Sequence, residues 1–194
     1  KLKEFITLVK PRPGQVNFAS AGVGTSPHLS MELFLVMTGL KMVHVPYKGS
    51  GPGVTDLVAG HVPAMMPNML SAQPHIKTGR LRALAVASRE RSPHMPNVPT
   101  AAEAGLPGLE VSQFYALMAP VRTSAAVLTR LENVARAVAQ SEGYRKRLDA
   151  QGATPASDGP RELAAMLKQE VESVSLNPMR NTAPLFMIWV KCAP

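Results

Sequence analysis

One stretch constrains the fold of this chain more than any other. A short apolar run, Val16–Ser20, enters the turn Ala21-Gly22-Val23-Gly24-Thr25, and apolar residues then recur at helical spacing: Leu29, Leu33, Val36, Met37 and Leu40. The change from a strand-like run to a period of about 3.6 residues, punctuated by glycines that permit a tight turn, reads as a β–loop–α unit. The first N–H groups of a helix have no internal partner and sit at the positive end of its dipole. Such a loop is therefore a ready-made anion site.

The unit recurs. Met42–Val45 alternates like a strand and runs through Pro46-Tyr47-Lys48-Gly49 into a second helix start, with Ser50 or Gly51 as cap, Pro52 in the first turn, and Val54, Leu57 and Val58 facing inward. His61–Met66 is a weaker strand because Pro63 interrupts it, Leu70–Lys77 is helical and ends at Gly79, and Arg82–Ala87 is a short buried strand. Upstream, residues 2–10 form a short helix stopped by Pro11 and Pro13-Gly14. Ser88–Pro99 reads as an exposed loop. Thr100-Ala-Ala-Glu103 has capping-box spacing for a short helix closed by Gly105, and Leu109–Ala119 is a long strand or two in series. Only helices follow: one marked by Val127, Leu131, Val134 and Val138, one from Ser141 to Gln151, and one capped by Asp158. This order predicts an α/β fold with a largely parallel sheet. The segment 175–194 breaks the pattern. Its run Leu185–Val190 is uncharged and strand-prone, and with an unpaired sheet edge it predicts self-association.

Composition narrows the chemistry. The net charge of +8 is spread along 194 residues and aromatics make up only 5%, which argues against nucleic acid and suits a small anionic partner. The single cysteine, Cys192, excludes an intrachain disulfide and a cysteine zinc site, and no apolar run is long enough to span a bilayer. The chain starts with Lys1 rather than Met, so a cut or incomplete N-terminus is expected. The third glycine of a dinucleotide fingerprint would fall at Pro27, and no Gly-Lys-Ser/Thr follows the glycines. The histidines (His28, His44, His61, His75, His94) show no metal spacing. His28 and Glu32 share a helix face, but two ligands do not make a site. For His28, capping or packing at the helix start is favoured over ligand contact. No nucleophile–base pair or carboxylate pair is present, so no enzyme, cofactor or metal is expected. Met65, Met66 and Met69 read as core filler. Two adjacent βα loops, with the Tyr47 hydroxyl and the Lys48 cation beside them, could hold a carboxylate; two ordinary capped loops are the equal alternative.

Four segments carry a resemblance: Asn17-Phe-Ala-Ser-Ala-Gly-x-Gly-Thr-x-x-His-Leu, Met42-Val-His-Val-Pro-Tyr-Lys-Gly-Ser-Gly-Pro, Pro74-His-Ile-Lys-x-Gly-Arg-Leu-Arg-Ala-Leu-Ala-Val and Val98-Pro-Thr-Ala-Ala-Glu-Ala-Gly. In order and over about residues 2–174, they resemble the Bug family, the extracytoplasmic substrate-binding proteins of tripartite tricarboxylate transporters. The resemblance implies an α/β, type II-like periplasmic binding protein of Venus-flytrap shape. Residues 1–13 would be a linker helix, 14–113 a complete second lobe, 114–174 the C-terminal strand and helices of the first lobe, and 175–194 an atypical tail. Roughly a hundred residues of first lobe would be missing. It also implies a periplasmic protein that binds a small organic acid and works with the transporter's membrane subunits. Ligand-binding positions carried over to this chain are Ser20, Ala21, Gly22, Gly24, Thr25, His28, Tyr47, Lys48, Gly49 and Asn68. Where relatives have Phe-Asp, this chain has Met66-Pro67, so a ligand bearing an amino group is disfavoured. A carboxylate-sensing subunit and, more remotely, a phosphate-loop enzyme are the rival readings.

Overall fold

The computed structural model describes residues 1–111, 115–151, 153, 155, 159–176 and 190–191, with side chains of the last helix described through Lys168. The chain divides into two compact units, Lys1–Gln113 with Thr182–Pro194, and Phe114–Asn181.

In the first unit, α1 (Leu2–Val9) leads to β1 (Asn17–Ser20), α2 (Ser26–Thr38), β2 (Val43–Pro46), α3 (Ser50–Ala59), α4 (Met69–Lys77) and β3 (Arg82–Ala83). β1 and β2 pair in parallel, Asn17 opposite Val43 through Ser20 opposite Pro46, and Ala19 bridges Met65 in parallel on the other side. β1 is thus central, and its alternation divides the interior. Phe18 enters a cluster with Leu2, Phe5, Met31 and Phe34, whereas Ala19 enters a second cluster with Val54, Leu57, Met65, Met69 and Val86. α1 and α2 therefore cover one face and α3 and α4 the other, the layering that parallel strands require because both of their faces are buried. The methionines Met65, Met66 and Met69 are core residues. Each large apolar side chain buried here contributes about 1.5–3 kcal/mol by removal from water.

Several expectations change in detail. The cap of α3 is Gly49, not Ser50 or Gly51. His61–Met66 is reduced to the Met65 bridge, because Pro63 and Pro67 bracket it and proline cannot donate to a ladder. Arg82–Ala87 is a strand only over its first two residues, and Val86 instead bridges Thr100. The 88–99 loop is pinned rather than wholly exposed, with Ser88, Ser92 and Met95 buried. Thr100 and Glu103 form the expected capping box, Glu103 Oε2 accepting from the Thr100 amide (2.8 Å) and Thr100 Oγ1 from the Glu103 amide (3.1 Å), but they close turns rather than a helix. Val190–Lys191 forms β4, antiparallel to β3 with Ala83 opposite Val190. At β3, the sheet edge is paired within the chain.

The second unit holds α5 (Ala125–Gln140), α6 (Glu142–Ala150) and α7 (Pro160–Leu176). Tyr115–Ala119 is not a strand. Its side chains are exposed, Leu117 to 72%, and it makes no ladder among the described residues. Asp158, Cys192 and residues 185–189 lie outside the described residues. No described helix is long and apolar enough to cross a membrane.

Candidate functional site

Parallel pairing fixes where the loops go. Because β1, β2 and the Met65 segment run the same way, the turns that follow them leave at one edge, and each enters a helix: α2 with Thr25 as cap, α3 with Gly49, and α4 with Asn68. The first two loops are laced together by Tyr47 N–H to Ser20 O (3.1 Å) and Gly49 N–H to Ala21 O (3.0 Å). The third is tied in by Asn68, whose Nδ2 donates to Ser50 Oγ at 3.1 Å while its Oδ1 accepts from the Ser71 amide at 2.9 Å. Gly22 is required by this approach. Its φ is +128°, and a Cβ there would lie 3.2 Å from the Tyr47 carbonyl oxygen.

The helix starts differ in charge, and α5 shares with α2, α3 and α4 the lack of a first-turn acid. α1 and α6 carry an acidic residue in the first turn, Glu4 and Glu142, and the Lys1 α-amino group pairs with Glu4. α2, α3 and α4 carry none. Three helix N-termini thus adjoin with no carboxylate of their own in the first turn, and Lys48 stands exposed beside them.

The donors of the first loop are turned inward. Ser20 is fully buried, and its Oγ accepts from the Gly22 amide (3.0 Å) and meets His44 Nε2 at 2.6 Å. The Gly24 amide donates to His28 Nδ1 at 3.2 Å, the capping role expected for His28. The Gly22 carbonyl receives Thr25 Oγ1 (2.6 Å), the Thr25 amide (3.3 Å) and Ser20 Oγ (3.2 Å). The Tyr47 hydroxyl donates to Asp56 Oδ2 at 2.7 Å, so it is committed away from the glycine loop, and His61 Nδ1 approaches Asp56 Oδ1 at 3.3 Å. The Asp56 bond, then burial, pushes the Tyr47 phenol up to about 12, and the same bond holds the Asp56 carboxyl below its ordinary value.

Beneath the loop, three rings stack: Phe18 on His44 with centroids 4.9 Å apart, and His44 on His28 at 4.1 Å. Burial, and then the nearby His28, lower the pKa of His44, while Glu32 opposes them. The sequence offers Ser50 only as a helix cap and His44 only as a histidine without metal spacing, and Asp56 carries no signal there. His44 belongs to no spacing motif and becomes significant only through its register opposite Phe18. Among the described residues, no group of three His, Cys, Asp or Glu side chains is close enough to hold a metal ion.

Comparison with known proteins gives a consistent picture. A family model described as tripartite tricarboxylate transporter family receptor matches residues 1–175. The protein BugT of Bordetella pertussis is 40% identical over 171 residues, which is 88% of this chain and 52% of BugT. Among solved structures, MatC from Rhodopseudomonas palustris with bound malate superposes with a TM-score of 0.84 at 33% identity, over 89% of this chain and 60% of that one. An R. palustris protein with adipate gives 0.85 at 31%, over 90% and 58%. The chain spans about half the length of the curated relatives it matches.

Proposed function

Because the chain belongs to the tripartite tricarboxylate transporter receptor family, we propose that it is the ligand-holding part of a periplasmic solute-binding protein that delivers a small organic carboxylate to the membrane subunits of such a transporter. Residues 14–113 act as the second lobe of a two-lobed trap, and residues 114–174 belong to the first. The observation that carries this reading is the group of three adjoining helix N-termini without a first-turn acid. A carboxylate supplies the negative charge that these dipoles lack. The neighbours solved with malate and adipate support the same ligand class.

Ser20, Ala21, Gly22, Gly24 and Thr25 form one wall of the site, with Tyr47, Lys48, Gly49 and Asn68 beside it, and His28 supports the wall from below. Tyr47 contributes its backbone and ring rather than its hydroxyl. No step of chemistry is assigned to these residues; the site holds and releases its ligand. Met66-Pro67, both buried at the entry to α4, supply no carboxylate for an ammonium group. The ligand is therefore a carboxylic acid without an amino group. The complete protein closes on it by hinge motion.

Isothermal titration of the chain with malate, adipate, citrate and glutamate tests the proposal. The expected result is weak binding of the first three and none of glutamate, since one wall of the trap desolvates the ligand incompletely. Micromolar binding by this chain alone would sink the half-site reading. Binding of inorganic phosphate in place of every carboxylate would favour the phosphate-loop alternative.

A further inference from the structure

Neutral His28 beneath the glycine loop consumes a donor that an anion needs. The Gly24 N–H points at His28 Nδ1 (3.2 Å), so Nδ1 carries no proton and the ring's own N–H is on Nε2, 3.6 Å from Glu32 Oε1. A proton arriving at His28 must settle on Nδ1. Two N–H groups would then face each other, and the Gly24 amide is released. His44 faces the buried Ser20. While neutral, its Nε2 can accept the Ser20 hydroxyl proton at 2.6 Å. Once cationic, Nε2 must donate to Ser20 Oγ, and the hydroxyl proton turns to the Gly22 carbonyl oxygen, 3.2 Å away.

We propose that His28 is a positioning residue that exchanges a proton for a loop donor: proton uptake at its Nδ1 frees the Gly24 amide for an incoming carboxylate. The stack at 4.1 Å couples the two rings, because charge on one disfavours charge on the other. Around the pair, α2 contributes His28 and Glu32, and β1 (Asn17–Ser20) contributes no titratable group. Asp56, the titratable carboxylate of α3, is engaged by Tyr47 and His61. This exchange deepens the carboxylate reading above and rests on it for its ligand. By linkage, carboxylate affinity rises as pH falls through the titration of His28, and a bound carboxylate raises the proton affinity of His28 by the same factor.

The decisive experiment is a ligand-free NMR titration of the isotopically labelled full chain between about pH 5 and pH 8. The Gly24 amide and the His28 Nδ1 resonance should move together with one midpoint. A Gly24 amide that stays still while His28 takes up its proton overturns the proposal, whatever the ligand. Malate is then added at both ends of the range while the Gly22 and Gly24 amides are followed. Affinity should be about fivefold or more higher at the acid end. His28→Asn keeps an acceptor for Gly24 but cannot titrate, so it should flatten the dependence of affinity on pH. Unchanged dependence in that variant also overturns the proposal. If malate shifts no loop amide at either pH, the carboxylate reading fails, while the ligand-free titration still decides the switch.

Discussion

The two units of this chain solve the burial problem differently. In the first, β1 sends Phe18 into one closed core and Ala19 into another, with helices on both sides. In the second, α5 has an equally regular apolar stripe, yet Val127, Leu131, Val134 and Val138 stay between 40% and 56% exposed, and neither α5 nor α6 buries a residue. Within these helices, Glu132–Arg136 and Glu142–Lys146 form surface pairs one turn apart. An amphipathic pattern specifies an interface, but it does not guarantee that the partner is at hand. The first unit encloses its own core. The second carries a face that, under the proposed function, belongs against the remainder of the first lobe.

Substitutions can break this contrast at points of decreasing strength. Phe18→Ala removes a fully buried ring from the first core and should cost about 3–5 kcal/mol in chemical denaturation of the first unit. Gly22→Ala demands a positive φ from an L residue and presses on the Tyr47 carbonyl. It should cost about 1–3 kcal/mol and separate the two loops, seen as faster exchange of the Gly49 amide. Asn68→Ala removes the cap of α4 and its tie to Ser50, for about 1 kcal/mol. In the second unit, Leu131→Ala should change stability by no more than about 0.5 kcal/mol, since the side chain is 40% exposed. A loss as large as that of Phe18→Ala would show that α5 is covered in solution and would end the comparison.

A pH series sharpens the contrast further. His44 has a lowered pKa, so its stabilisation is fully present above the ordinary value of 6.5 and is lost as pH falls through the lowered one. Asp56 and Glu103, also lowered, give up theirs only below the ordinary carboxylate range. Thermal melts should therefore lose stability in two acid steps, and His44→Gln should remove the upper one.

Much of the first unit is legible in the residues because period and punctuation agree. The run Val16–Ser20, the glycine turn and the Leu29–Leu40 stripe become β1, its loop and α2, ended by Gly39. Local rules fail where a partner distant in sequence decides. Ser50 has good capping chemistry, yet α3 starts from Gly49 because the loop is drawn to Ala21 and Ser50 is drawn to Asn68. Tyr47 offers a hydroxyl in sequence, but Asp56, nine positions on, claims it. His44 looks like an ordinary strand residue until parallel register sets it on Phe18 and beside Ser20. Tyr115–Ala119 has strand composition yet is not a strand, and composition alone does not make one. The family resemblance drawn from four motifs holds over residues 1–175.

The saturated carbonyl of Gly22 has a consequence for selection. Its oxygen has two lone pairs and meets three donors, while the carbonyls of Ser20 and Ala21 are taken by Tyr47 and Gly49. Three successive backbone oxygens are spent before any guest arrives. Under the proposed function, a guest that brings its own oxygens meets amides at this loop, whereas the Gly22 oxygen has no lone pair left for a further N–H or O–H. Under that reading, this wall favours a guest that accepts hydrogen bonds over an ammonium headgroup.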